Sequence, residues 1–412
     1  MSILNHTLKR LCASFVVIAL INGCTDEQPL ATGAIPNDIV LSLRNNAVYA
    51  LVLSSGDSEL QFFNLSEKGE TPQSLRLPEE KGVGANPLSI ALSASQQKAA
   101  ISLYGYNKIA LVNLWDKKVL ATVGPEKNGV WAQVDVHLAT PLRKAVDAQN
   151  NGILESNVTR MALKNPQGLG FLGDNIIVSF ANILEYATMK ANENASFGPG
   201  VAALFNTNQD ALSYESFIQL PFMNPGAVVP DNTSSVWVSC AGVFGIKDQR
   251  WQALTEGGLV QLSLNSQLKI EHTLSLGTFG GGRPVVTPSH LIVPSQTMAA
   301  IWVGKKSATQ FSEGKVVFFG PAEQTDTTHV ALIDKNRLAV TLFSSNKIYT
   351  YTIDEAQEEP ILNTKITLYE KQEDTLIRGA GSSAFIQQGN EIIGGVLLNQ
   401  SAQLVPVRLG LK

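Results

Sequence analysis

Between Asn86 and Val123 the apolar positions fall into four short runs, LSIAL, KAAISLY, KIALVNL and KVLATV, set apart by the polar breaks SASQQ, GYN and WDK. Each run is long enough for a strand and too short for a helix. The breaks carry Gly, Asn, Ser and Asp, which suit tight turns. Four antiparallel strands in about 40 residues make one blade of a β-propeller.

The same rhythm recurs from Pro36 onward, and seven copies are legible. They begin near Asn37, Asn86, Asn165, Asn224, Gly282, Thr328 and Arg378. The expected fold is therefore all-β: a seven-bladed propeller of four-stranded antiparallel blades, forming one domain over residues 30–412. The last copy holds three strands, SSAFIQ, EIIGGVLLN and AQLVPVRL. A ring cannot leave that edge unpaired, so Leu30 to Ile35 are expected to supply the missing outer strand.

Three insertions break the rhythm, at about 125–164, 183–199 and 242–256. The first separates two blades, and the others separate second from third strands. In a four-stranded blade both kinds of connection emerge on one face, and loops raised on one face of a rigid scaffold are where function usually lives. Within the first insertion Leu142, Ala145 and Val146 have the spacing of a short amphipathic helix. Trp131, Asp135 and His137 beside them read as packing and solvated positions.

The first 23 residues stand apart from the blade pattern. Lys9 and Arg10 precede an apolar run, Leu11 to Ile21, which is too short to span a bilayer and has the form of a signal peptide. Leu20-Ile-Asn-Gly23-Cys24 resembles a bacterial lipobox. The expectation is a lipid on Cys24, a tether over 24–29, and sorting to the outer membrane, since Thr25 rather than Asp follows. With the outer strand rising from the far side, the lipid is expected to hold the plain face near the membrane. With Cys24 acylated, Cys240 is then the one free thiol of the mature chain, which excludes an internal disulfide and a multi-cysteine zinc site. A charged fraction of 16% and a net charge of −4 give no basic footprint for nucleic acid. A monomer is expected.

Motifs for catalysis are absent: there is no G-x-S-x-G, H-E-x-x-H, Walker loop or G-x-G-x-x-G before a helix. Neither histidines nor acids show metal-ligand spacing, so no metal or cofactor is expected. The positional signal is a ring. Reading one position per blade gives Asn37, Asn86, Asn165, Asn224, Arg283, His329 and Arg378, a polar set without a carboxylate, facing the channel mouth. Amides both donate and accept, and Arg binds carboxylate or phosphate bidentately. Asn before Pro also serves simply to shape the turn that starts a strand. Tyr104 and Tyr106 are placed to stack on a planar ligand or to pack on the neighbouring insertion.

The anchor stretch also resembles the YVTN-repeat (YncE-like) propellers, through Asn86-Pro87, Ala100-Ile-Ser-Leu103, Asn107 and Leu111-Val-Asn-Leu114. The resemblance, together with that to surface propeller lipoproteins, implies a non-enzymatic binder beside a TonB-dependent outer-membrane transporter. Lactonase-type propellers share the architecture, and a carboxylate, His and Arg gathered in the channel would favour that reading. A scaffold in an envelope complex is the third class.

Overall fold

The computed structural model describes residues 29–67, 69–79, 84–124, 134–137, 158–185, 196–247, 250–306, 314–319, 326–345, 347–354, 360–368 and 379–410. The signal segment, Cys24, Trp131, Arg378 and the expected helix around Leu142 lie outside them.

Seven four-stranded antiparallel sheets are present. Blade 1 comprises Pro36–Arg44, Ala47–Ser54, Glu59–Asn64 and Gln73–Arg76. Blade 2 comprises Pro87–Leu92, Lys98–Leu103, Lys108–Asn113 and Lys118–Val123. Blade 3 comprises Pro166–Leu172, Asn175–Phe180, Val201–Asn206 and Ser213–Gln219. Blade 4 comprises Pro225–Pro230, Ser235–Cys240, Gly257–Leu264 and Leu268–Gly277. Blade 5 comprises Val285–Val286, His290–Pro294, Ala300–Lys305 and Lys315–Phe318. Blade 6 comprises Thr328–Asp334, Arg337–Leu342, Lys347–Thr352 and Ile361–Thr367. The innermost strands neighbour one another around the ring, and those of blades 1 and 7 meet.

Blade 7 takes three strands from the C-terminal end, Ala380–Gln388, Glu391–Leu398 and Gln403–Gly410, and its outer strand from Leu30–Ala31. Leu30 faces Leu404 and Ala31 faces Gln403. The outer strand is thus two residues rather than six, and it sits where the third strand leaves its second-to-third-strand turn. The described chain thus begins beside the insertion-bearing face, where the expectation placed the start of that strand at the opposite face.

Alternation sets the packing. Second strands such as Ser235–Cys240 are buried along their whole length, because blades stack face to face and both pleat faces meet apolar neighbours. The cores are shared between blades. Leu51 and Leu60 of blade 1 pack with Ile90 and Ile101 of blade 2, and Val238 and Val260 of blade 4 pack with Ile177 and Leu204 of blade 3.

Candidate functional site

The insertions build one face. Val134–His137 pairs with Val158–Met161 between blades 2 and 3, Ile183–Glu185 with Ser196–Phe197 in blade 3, and Phe244–Lys247 with Arg250–Ala253 in blade 4. Phe197 of the second hairpin packs with Val243 at the root of the third, with Ile183 and Met223 against them. Phe244 and Trp251 brace the third hairpin, their ring centroids 5.8 Å apart.

Side-chain amides root these hairpins. Asn165 takes a left-handed φ of 58° before Pro166, and its Oδ1 accepts from the Ile183 amide at 2.9 Å. Asn224, buried and with φ 53°, donates from Nδ2 to the Gly242 carbonyl at 3.0 Å and accepts from Gln167 Nε2 at 3.2 Å. Asn tolerates this conformation better than most residues. These two amides thus bind the backbone and neighbours of the hairpins they root. Asn86 shares the left-handed φ, 43°, and its side chain is exposed.

The structure also corrects the register of the proposed ring. The residue equivalent to Asn86 is the one whose carbonyl accepts from the first amide beyond the second strand, or in blade 5 from the amide after the bridged Ser295. It is Ile35, Asn165, Asn224, Gly280, Thr327 and Gly379 in the other blades. Asn37, Arg283 and His329 lie two or three residues further along the chain. The mismatch arose because blades 1 and 5–7 lack an Asn-Pro step to align on. Ile35 holds φ 54° with 58% of its surface exposed, a strained state for a β-branched residue. Ile35→Asn should therefore raise stability by about 1 kcal/mol, read as a higher melting temperature.

Just past that turn most inner strands carry a β-bulge, as between Pro36 and Asp38, Pro87 and Ser89, and Pro225 and Val228. The bulge aims an extra residue at the axis. Side chains, most of them buried, clasp this bulged backbone, or the strand ends beside it, at every seam. Ser102 Oγ donates to Gln167 O at 2.8 Å, Ser179 Oγ to Gly226 O at 2.5 Å, and Ser239 Oγ to Gly281 O at 3.0 Å. Thr328 Oγ1 donates to Met298 O at 2.8 Å, and Thr341 Oγ1 to Gly381 O at 2.8 Å. Ser382 Oγ closes the ring on Asn37 O at 3.2 Å, and Asn37 Nδ2 reaches Pro87 O at 3.0 Å. A recurring Ser or Thr one residue before the end of the second strand, as in VSF, VSC and VTL, was the legible signal.

Across the channel Arg283 Nη1 donates to both oxygens of Asp38, at 3.1 and 3.2 Å. Blades 1 and 5 stand almost opposite, so the pair is a strut. The Asp38 side chain is 7% exposed and the Arg283 side chain 44%. Asp38 also accepts from the Ile39 amide (2.9 Å), the Ile90 amide (3.1 Å) and Ser89 Oγ (3.2 Å). The mouth thus holds the carboxylate that the ring reading lacked. Asp326, also buried, accepts from the Thr327 and Ser344 amides at 2.8 and 3.1 Å and from the Ser344 hydroxyl.

His329, on the inner strand of blade 6, is half-buried among its neighbours. That burial pushes its pKa down to about 4, against a smaller upward pull from the Asp326 carboxylate. The ring is neutral at pH 7. Because the unfolded chain holds the proton more tightly, stability is complete above about pH 6.5 and falls as pH drops from there to about 4. His329→Gln should flatten melting temperature across that window, and the wild-type ring should show no NMR titration above about pH 5.

Tyr106 packs on its own scaffold. It closes a 3-10 turn, Tyr104–Tyr106; its hydroxyl donates to the Pro78 carbonyl and its ring packs on the core shared by blades 1 and 2. Tyr104 is half-buried, and its amide donates to Asn86 O at 3.2 Å. Cys240 is wholly buried, and burial pushes its thiol well up, the mark of an inert core residue.

No family model matches this chain, and no curated protein matches it. Among solved structures it is similar to hydrazine synthase of Kuenenia stuttgartiensis, with a TM-score of 0.60 at 10% identity, covering 95% of this chain and 99% of that one. It is also similar to the β-propeller domain of Cps50 (Swd1) from Myceliophteria thermophila, with a TM-score of 0.57 at 9% identity, covering 93% and 99%. At such identities the likeness shows the fold, a seven-bladed β-propeller, and nothing of activity.

Proposed function

We propose that this chain is a non-catalytic binding propeller of the bacterial cell envelope, anchored by lipid on Cys24, which receives a ligand or protein partner on its hairpin-bearing face. The observation that carries the reading is the clustering of three hairpins over consecutive blades, with two packed on each other and rooted by Asn165 and Asn224. The propeller fold supports a binding or scaffold role in general terms. A place beside a TonB-dependent outer-membrane transporter rests on the resemblance of the anchor stretch to YncE-like proteins.

A catalytic reading would draw on Asp38, Asp326, Arg283 and His329. The engagement of both carboxylates, full at Asp38 and at three of about four acceptor sites at Asp326, speaks against it, since a general base needs a lone pair free for the substrate proton. Asp38 and Asp326 spend theirs on backbone amides, hydroxyls and a guanidinium.

Two measurements test the proposal. Cys24→Ala should move the protein from the membrane to the soluble periplasmic fraction, and a mutant that still sediments with membranes would remove lipid anchoring. Trimming the second and third hairpins to short turns should abolish partner capture from envelope extracts while the melting temperature stays close to native. Undiminished capture by a folded trimmed variant would overturn the face assignment.

A further inference from the structure

The Asp38–Arg283 strut uses one side of the guanidinium. Both contacts to Asp38 come from Nη1, and among the described residues Nε and Nη2 have no partner. That Nε–Nη2 edge is a fork that matches carboxylate and phosphate geometry. Asp38 holds the group in place from below, and the side chain remains 44% exposed to the mouth.

A second donor stands on the same wall. Gln296 follows the second strand of blade 5; its amide donates to Gly280 O at 2.8 Å and its carbonyl accepts from Thr327 Oγ1 at 3.1 Å. Its side-chain amide has no partner among the described residues. A Cβ at Gly282 would stand 3.4 Å from Gln296 Cγ, and one at Gly226 would stand 4.0 Å from its Nε2. The side chain therefore extends from blade 5 toward blade 4 over glycine backbone, which leaves room beside it. Asp38 and Asp326 nearby already hold donors, and Asp38 balances the guanidinium charge, so what this wall offers a ligand is the N–H groups of Arg283 and Gln296 rather than a net positive charge.

We infer that the Nε–Nη2 edge of Arg283 and the amide of Gln296 receive a carboxylate or phosphate group of a small ligand at the channel mouth. This deepens the binding role proposed above and rests on it for the identity of the working face.

The probe is inorganic phosphate, titrated into the full mature chain at low ionic strength and followed by calorimetry and by the Arg Nε–H resonance that Arg283→Lys removes. Succinate titrated in the same way serves as the carboxylate arm. Either anion should bind saturably, where sodium chloride of equal ionic strength does not. Arg283→Lys keeps the charge beside Asp38 but loses the fork, and should weaken binding about tenfold or more. Gln296→Ala leaves the strut untouched and should weaken it about 3- to 10-fold. Absence of saturable binding by both anions, or native affinity in both folded variants, would overturn the site. Partner capture that still depends on the hairpins in that event would leave the proposed function standing.

Discussion

Asp38→Ala should lower stability by about 3–5 kcal/mol, chiefly because buried backbone amides lose their acceptor, with a smaller part from parting an ion pair whose arginine is half exposed. The change strips an acceptor from the Ile39 and Ile90 amides and from Ser89 as well as from Arg283. In a ring of this size about 1 °C of melting temperature corresponds to each kcal/mol, so a drop of about 3–5 °C is expected. The double-mutant cycle separates strut from scaffold. Arg283→Ala alone should cost about 1.5–3 kcal/mol, and close to nothing once Asp38 is already Ala. Additive losses would show that the two residues act independently across the channel.

The second large effect is steric. Gly168 sits at the bulge of blade 3, where a Cβ would stand 2.2 Å from Gly226 O and 2.6 Å from both Ala227 Cα and Val228 N. All three atoms are backbone of blade 4, so the neighbour cannot move aside without parting the strands. The same change would disturb Ser179, which accepts from the Gly168 amide at 2.9 Å and clasps Gly226 O. Gly168→Ala should therefore cost about 3 kcal/mol or more, at the upper end of overpacking effects. Hydrogen exchange should rise along Pro225–Pro230, and melting should fall. Gly173→Ala is the control, because φ is +60° there and nothing stands within 4 Å of the new Cβ. Its cost should be about 1 kcal/mol, from backbone conformation alone. Equal effects at the two positions would contradict a tight seam between blades 3 and 4.

Blade number and strand order were readable because alternation and turn residues are local properties. The runs around Asn86-Pro87, Asn165-Pro166 and Asn224-Pro225 show them most openly. The need for a closing strand was readable too, from a simple count of edges. Its length was not: nothing in Leu30–Ile35 says that only Leu30 and Ala31 pair, while Ala34 and Ile35 turn toward the second blade strand through Gly56 and Ser55. The site was the less legible part. Asp38 and Arg283 lie 245 positions apart, and no periodicity joins a carboxylate in one blade to a guanidinium nearly opposite. Asn165 and Asn224 looked like ligand amides because the sequence gives their side chains no other partner. Folding supplies one, in the backbone of the hairpins they root.

Placement of a photo-crosslinking residue tests the central claim most directly. With the crosslinker at Lys247, on the exposed third hairpin, the protein in intact envelopes should form one dominant adduct. With it at Gly173 or Gly389, in exposed first-to-second-strand turns of the opposite face, that adduct should be missing. Equal adducts from both faces, or an adduct confined to the plain face, would contradict a binding surface built from the hairpins.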